Sequence, residues 1–191
     1  MKRKAFKQGG WTGLCGPYSI ANALALLFPV ELARAPITAM VRRMTAALPV
    51  NFRSIVREGT DRAQMHAMLE AAGGYSTEQG WPAWRVEPWH PRPGMTARQF
   101  WDELAAELAR EPGAAIVGLG SDDAPNTIYE PHWTCVERIG REFLTMRDSD
   151  EYDRVRRART GIKPERGWDI EDCFILRPAS AEAAGDLRQA A

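Results

Sequence analysis

The sequence predicts an α+β fold in a single domain, and three observations support this fold class. The chain has 191 residues, which is enough for one well-buried core. Its apolar residues (45%) and charged residues (26%) occur in the proportions of a globular protein. Helical patterns come first and most strand patterns come last, which favours α+β over alternating βαβ units. We expect the domain to cover residues 1–178, with a frayed Ala-rich tail over 179–191.

The helical elements are recognised by apolar residues at helical spacing and by their end signals. Pro29 is expected to end the first helix, and Gly73-Gly74 to stop the third. Thr96 and Gln99 have the spacing of a capping box and open the fourth. The predicted helices cover residues 16–28, 38–48, 61–72 and 96–110.

Five strands are predicted over residues 83–87, 114–119, 132–139, 142–147 and 173–176. The polar segment 120–131 is expected to be a loop, and 148–168 a charged connection. The third and fourth strands are joined by a tight turn and form an antiparallel hairpin. Because such a hairpin goes out and returns, we expect His132 at its start to lie near Asp148 just past its end.

Charge and hydropathy exclude several classes of function. The 25 basic and 25 acidic residues give no net charge, so nothing indicates nucleic acid or anionic lipid as a partner. The longest apolar stretch, 20–30, is far shorter than the roughly 20 residues that a spanning helix needs. No signal-peptide pattern follows the basic N-terminus, so a cytoplasmic location without membrane attachment is expected. The oligomeric state stays open.

The three cysteines are Cys15, Cys135 and Cys173, an odd number at wide spacings. This pattern argues against a disulfide framework and against paired zinc ligands, so no cofactor or metal is predicted. Cys15 alone precedes a predicted helix, where partial positive charge and unpaired N–H groups favour the thiolate. Cys135 and Cys173 fall in strands and are interpreted as small buried hydrophobes.

A nucleophilic cysteine needs a base, and the base needs a group that fixes its tautomer. His132 and Asp148 at the ends of the hairpin fit these two roles. An oxyanion hole needs N–H donors near the nucleophile. The Cys15 backbone can supply one, and the Gln8 side chain, seven residues earlier across a glycine-rich turn, can supply the second.

Three segments resemble the papain-like cysteine peptidases. Gln8 and the run LCGPYSIANAL at 14–24 resemble the nucleophile segment of that family. They are closest to its bacteriocin-processing branch, the peptidase domain of peptide-exporting ABC transporters and its free-standing relatives. HWTCV at 132–136 resembles the catalytic-His strand, and LTMRDS at 144–149 resembles the strand that ends in Asp. In order along the chain, the resemblance covers about residues 6 to 177.

The resemblance implies a papain-like fold, in which an N-terminal helical part carrying the Cys helix packs on a C-terminal antiparallel sheet. It also implies cleavage of a peptide or isopeptide bond in a peptide or protein substrate, through a thioester on Cys15 and without a cofactor. By resemblance Gln8 is the oxyanion residue, Cys15 the nucleophile, His132 the base and Asp148 the orienter. The Gln-to-Cys spacing is longer than usual, and Ser149 replaces the usual Pro, so Asp150 remains an alternative orienter.

Two other functions stay open. An acyltransferase or transglutaminase-like enzyme shares the same Cys-His-Asp order. A papain-fold binding module would keep the fold without turnover, with Trp11 or the 120–131 loop blocking the cleft.

Other conspicuous residues have structural or functional interpretations. His66 is interpreted as a helix-surface or satisfied core histidine and His90 as a packed loop residue. Trp11 and Trp133 are candidates for covering the dyad. The acidic pair Asp122-Asp123 is weak evidence for a cation site. The basic run from 154 to 166 is a solvated loop, or alternatively a cleft wall that meets acidic side chains.

Overall fold

The computed structural model describes residues 5–7, 12–34, 37–121, 132–149, 153–161 and 168–179. Several residues of interest lie outside these described ranges: Gln8, Trp11, Asp122, Asp123, Asp150 and the tail from 180. The helices are α1 (Cys15–Leu27), α2 (Pro29–Arg34), α3 (Ile37–Ala46), α4 (Phe52–Glu58), α5 (Arg62–Glu78) and α6 (Ala97–Arg110).

Two helix predictions are confirmed in detail. Helix α1 follows a short 3-10 turn, Thr12–Leu14, and spans almost the predicted range. At the start of α6 the Thr96 hydroxyl accepts from the Gln99 backbone N–H, and the Gln99 side chain accepts from the Thr96 backbone N–H. This reciprocal pairing is the predicted capping box.

The predicted stop at Gly73-Gly74 is wrong, because α5 continues to Glu78. Each interior glycine costs about 1 kcal/mol relative to alanine. The extra turns, however, bury Tyr75 and Ser76, and the Ser76 hydroxyl donates to the Ala72 carbonyl at 2.8 Å. Tertiary burial therefore outweighs local propensity.

The sequence reading also missed two short helices, α2 and α4. Pro29 does close α1, but it is itself the first residue of α2, where its fixed φ is favourable and its missing N–H costs nothing. Asn51 caps α4 by accepting from the Ser54 backbone N–H at 3.0 Å. Both helices are too short for periodicity to reveal them.

The strands are β1 (Trp84–Trp89), β2 (Ala114–Ser121), β3 (His132–Ile139), β4 (Phe143–Arg147), β5 (Arg154–Arg156), β6 (Thr160–Gly161) and β7 (Trp168–Pro178). Their order in the sheet is β1-β7-β2-β3-β4-β5, with neighbours antiparallel, and β6 pairs in parallel with β7. The α+β class, with most helices before the sheet, is confirmed.

The last strand and the connection before it differ from the prediction. The connection over 148–168 contains β5, a 3-10 turn and β6, and β7 is much longer than 173–176. The ends of β7 contain charged residues, so the sequence pattern did not predict them as part of a strand. Arg177 is fully buried in β7, but its guanidinium donates to Glu87 and Glu107 at 2.7 Å and to the Glu111 carbonyl. A buried charge is tolerated when it is paired and hydrogen-bonded in this way.

The sheet has an apolar core on each face. Ile116 and Phe174 pack with α1, α3 and α5, whereas their strand neighbours Val117 and Ile175 pack with α6 on the other face. This alternation follows the two-residue period of the strands. Within the described ranges, no helix is long and apolar enough to cross a membrane.

Candidate active site

Cys15 is the first residue of α1, and two glycines hold this helix start close to its neighbours. A Cβ at Gly13 would lie 2.0 Å from the Ile55 carbonyl oxygen of α4. A Cβ at Gly16 would lie 2.3 Å from the Thr60 hydroxyl oxygen. Neither position therefore accepts a side chain without movement, and the close approach fixes where the N-terminus of α1 lies.

His132 and Asp148 come together at one end of the β3–β4 hairpin. Cys135 lies three residues after His132, and its partner across the hairpin, Arg147, lies one residue before Asp148. Because side chains alternate between the two faces of a strand, His132 and Asp148 project from the same face. The His132 Nε2 atom lies 2.6 Å from Asp148 Oδ2. The Asp148 side chain is fully buried and the His132 side chain is 12% exposed.

The surroundings of His132 favour its protonated form. Burial by itself lowers the pKa of His132, but hydrogen bonds and charge attraction to Asp148 and Cys15 raise it from 6.5 to about 10. Because Nε2 faces Asp148, the other ring nitrogen, Nδ1, is the one available to Cys15. His132 therefore lies between the Asp148 carboxylate and Cys15, the first residue of α1.

Trp133, a candidate for covering the dyad, belongs to the core instead. Its side chain is almost fully buried, and its ring packs on Phe174 with centroids 5.7 Å apart and against Gly118. Its indole Nε1 donates to the Thr60 carbonyl at 2.7 Å. Since Thr60 also touches Gly16, one residue links the strand of His132 to the helix of Cys15.

Phe6 is held beside α1 by Asn22, a residue without a predicted role. The Phe6 backbone N–H donates to the Asn22 side-chain oxygen at 2.7 Å, and the Asn22 amide donates to the Phe6 carbonyl at 3.2 Å. Lys7 pairs with Asp153 at 3.1 Å. Asn22 is the one polar residue in the apolar run 20–27, and this isolated position is the feature of the sequence that could have indicated its role. Gln8 follows directly but lies outside the described ranges.

A second cluster contains Arg62, His90 and Asp172. The His90 Nδ1 atom lies 3.1 Å from Asp172 Oδ1, and His90 Nε2 lies 2.6 Å from an Arg62 guanidinium nitrogen. The Arg62 Nε atom lies 3.5 Å from the same Asp172 oxygen. His90 is thus bound in an ionic cluster rather than merely packed in a loop, and no spacing in the sequence connects these three positions.

The other singled-out residues have structural roles. His66 meets the Phe174 ring edge-on at 4.9 Å between centroids. Cys135 and Cys173 are fully buried, and this burial raises the pKa of both thiols well above the usual range.

In the described part of the basic run, two arginines contact neighbouring residues at the edge of the sheet. The Arg154 guanidinium lies 3.7 Å from the centre of the Phe143 ring, and Arg157 donates to Asp102 at 2.7 Å.

No protein-family model matches the chain, and no curated protein matches it in sequence. Among the residues with described placement, no group of three His, Cys, Asp or Glu side chains could hold a metal ion.

Proposed function

We propose that this chain is a papain-like cysteine peptidase that cleaves a peptide or isopeptide bond through a thioester on Cys15. The observation that carries the proposal is geometric: His132 is hydrogen-bonded both to the buried Asp148 carboxylate, at 2.6 Å, and to Cys15 at the start of α1. A buried imidazolium beside a cysteine at a helix N-terminus is a suitable environment for a nucleophilic thiolate. The packing of helical elements against an antiparallel sheet is consistent with the papain-like fold.

Acylation uses the proton on His132. The Cys15 thiolate attacks the substrate carbonyl, and the carbonyl π electrons move onto oxygen to give a tetrahedral oxyanion. As this intermediate collapses, His132 donates its proton to the leaving amine and the C–N bond breaks. The Asp148 carboxylate, 2.6 Å from Nε2, holds the ring in one orientation and stabilises its positive charge. The product of this half-reaction is a Cys15 thioester and a free amine.

Deacylation reverses these roles. The now neutral His132 removes a proton from water, the resulting hydroxide equivalent attacks the thioester, and the C–S bond breaks to release the acid. In each half-reaction the oxyanion requires N–H donors. The Cys15 backbone N–H and the Gln8 side-chain amide are the donors that we assign.

A non-catalytic binding module is the second candidate, and one observation favours it. Cys15 is only 2% exposed, so little of the residue reaches solvent. In a binding module the same burial would be permanent, and no acyl group would form on the sulfur. In a peptidase the sulfur must become accessible to an incoming carbonyl.

The decisive experiment follows acylation of Cys15. The protein is incubated with peptide ester and peptide amide pools and quenched in acid. Mass spectrometry then maps an adduct that hydroxylamine removes, as expected of a thioester. Cys15→Ala is the blank, and Cys173→Ala is the matched control because Cys173 is a fully buried thiol.

A peptidase forms the hydroxylamine-sensitive adduct on Cys15 in the parent and in Cys173→Ala, and releases free acid with time. Release as an amide of an added amine would assign acyl transfer instead. A folded parent that binds peptides but never forms the adduct would support the binding module and refute the enzyme.

A further inference from the structure

We propose that Arg62 is a specificity-determining residue that binds a carboxylate side chain of the substrate about three residues from the bond that is cut. This inference rests on the proposed function, because it places Arg62 in the same substrate cleft. It assigns a preference for acidic peptides to the cluster of Arg62, His90 and Asp172.

The sheet places this cluster close to the candidate active site. Asp172 pairs with Gly118 across β7 and β2, and Gly118 pairs with Trp133 across β2 and β3. Neighbouring strands lie about 4.8 Å apart, so two steps correspond to about 10 Å between the backbones of Asp172 and Trp133. An extended peptide covers that distance in about three residues.

The cluster also lies on the side of the sheet that carries Cys15. Asp172 is two residues before Phe174 in β7 and therefore projects from the same face, the one that packs on α1. Arg62 opens α5 two residues after Thr60, whose hydroxyl oxygen borders Gly16. Thr60 therefore lies between Arg62 and the start of α1, which carries Cys15.

The Arg62 guanidinium is held in one orientation, but only some of its N–H donors have partners within the described part of the chain. Asp172 faces its Nε and the His90 ring faces one terminal nitrogen, while the side chain remains 48% exposed. A guanidinium has five N–H donors, and within the described part of the chain those two contacts leave the remaining donors unpartnered. Asp172 is only 17% exposed, so the solvent side of the cluster presents the positive group.

These features favour a carboxylate as the ligand. Arginine binds carboxylates through two parallel charge-assisted hydrogen bonds, and a guanidinium held in advance loses less freedom on binding. Lysine-containing peptides would meet repulsion at the same place, and glutamine would make weaker neutral hydrogen bonds. A hydrogen bond to a charged group exceeds a neutral one by enough to give about a tenfold preference.

The experiment uses internally quenched peptides in which one Glu, Gln or Lys is moved through every position within four residues of a fixed central bond. Cleavage is measured for the parent, Arg62→Gln, Arg62→Glu and Arg43→Gln. Arg43 is the matched control, because it is also about half exposed and ion-paired, with Glu78 at 2.7 Å, but lies in α3. Binding of the same peptides is measured on Cys15→Ala with and without Arg62→Gln, independently of turnover.

We expect the parent and Arg43→Gln to prefer Glu over Gln about tenfold in kcat/KM at one position near the third residue. Arg62→Gln should abolish this preference, and Arg62→Glu should shift it to Lys. The binding arm should show the same loss. Equal binding of Glu and Gln peptides to Cys15→Ala, or a Glu preference that survives Arg62→Gln, overturns the inference. Charge-selective binding without any cleavage by the parent refutes the peptidase and leaves the recognition site standing.

Discussion

The indole Nε1 of Trp133 donates a 2.7 Å hydrogen bond to the Thr60 carbonyl, and this bond connects the two halves of the candidate active site. Trp133 directly follows His132 in β3, and Thr60 borders Gly16, the residue after Cys15. The separation of the base and the nucleophile therefore depends on packing at Thr60. Residues that never touch a substrate can thus control the chemistry.

Trp133→Phe should lower both stability and Cys15 reactivity. Phenylalanine keeps most of the ring but leaves the buried Thr60 carbonyl unpaired, which costs about 1–3 kcal/mol of unfolding free energy. We expect the alkylation rate of Cys15 by iodoacetamide to fall as well, because Thr60, which borders Gly16, loses its hydrogen bond to β3. Urea unfolding and mass-spectrometric alkylation rates measure the two effects.

The control for this variant is Trp101→Phe. Trp101 is fully buried on the other face of the sheet, and its Nε1 donates to the Thr160 hydroxyl at 2.7 Å. Its substitution should cost comparable stability without slowing alkylation of Cys15. Equal alkylation rates in the parent and in Trp133→Phe would contradict the proposed coupling.

The stability of the fold should depend on pH through His132. Its pKa in the folded chain is raised from 6.5 to about 10. A raised folded pKa stabilises the protein fully below the unfolded pKa, and this contribution disappears as the pH rises through the folded pKa. His132→Gln should therefore lower the free energy of unfolding substantially at about pH 6 and much less above about pH 10.

Asp148→Asn tests whether the Asp148 carboxylate is what raises the pKa of His132. Removing the carboxylate charge 2.6 Å from Nε2 should bring the pKa of His132 down, as followed by NMR titration of the ring protons. Asp102→Asn is the control, because Asp102 is a surface carboxylate paired with Arg157. A His132 titration that is the same in Asp148→Asn and in the parent would refute this assignment.

Two glycine substitutions should have opposite effects on stability. Gly13→Ala places a methyl group 2.0 Å from the Ile55 carbonyl oxygen, and such overpacking typically costs about 1–3 kcal/mol or more. Gly74→Ala meets no atom within 4 Å and lies inside α5, so it should stabilise by about 0.5–1 kcal/mol. Chemical denaturation of both variants checks the signs. A neutral Gly13→Ala would show that the start of α1 is not fixed by this contact.

The sequence could predict those parts of the site that depend on local chain geometry. His132 and Asp148 are the two ends of one hairpin, so its length and turn were enough to bring them together. Cys15 could be placed at a helix start because Pro17 and the apolar spacing mark that helix. Each of these relationships is confined to a short stretch of chain.

Other features depend on segments that meet only in the folded structure. Arg62, His90 and Asp172 come together because β1 pairs with β7. Nothing in the sequence of either strand indicates which strand it pairs with. The length of β7 was hidden because the burial of Arg177 becomes acceptable only once Glu87 and Glu107 are beside it. The Thr60–Trp133 hydrogen bond joins residues 73 positions apart.

Gln8 should act as an oxyanion donor. Gln8 follows Phe6 by two residues, and Asn22 holds Phe6 against α1, so the chain reaches at most about 7 Å beyond that anchor. Loss of one oxyanion donor typically lowers kcat by 10²–10³, about 3–4 kcal/mol, without removing the nucleophile. Gln8→Ala should therefore slow turnover by that factor but still be alkylated at Cys15, whereas Cys15→Ala should lose both.

Gln8→Glu separates donation from packing, because it keeps the size of the side chain but replaces the amide donor with a carboxylate. It should be at least as slow as Gln8→Ala, since a negative charge beside the oxyanion adds repulsion to the lost hydrogen bond. Asn22→Leu removes the anchor of Phe6 and should slow turnover in the same direction while Cys15 remains alkylated. The kcat of all three variants is compared with the parent on one cleaved peptide. If Gln8→Ala turns over within a factor of about three of the parent, the second donor is another group, since a true donor is worth far more.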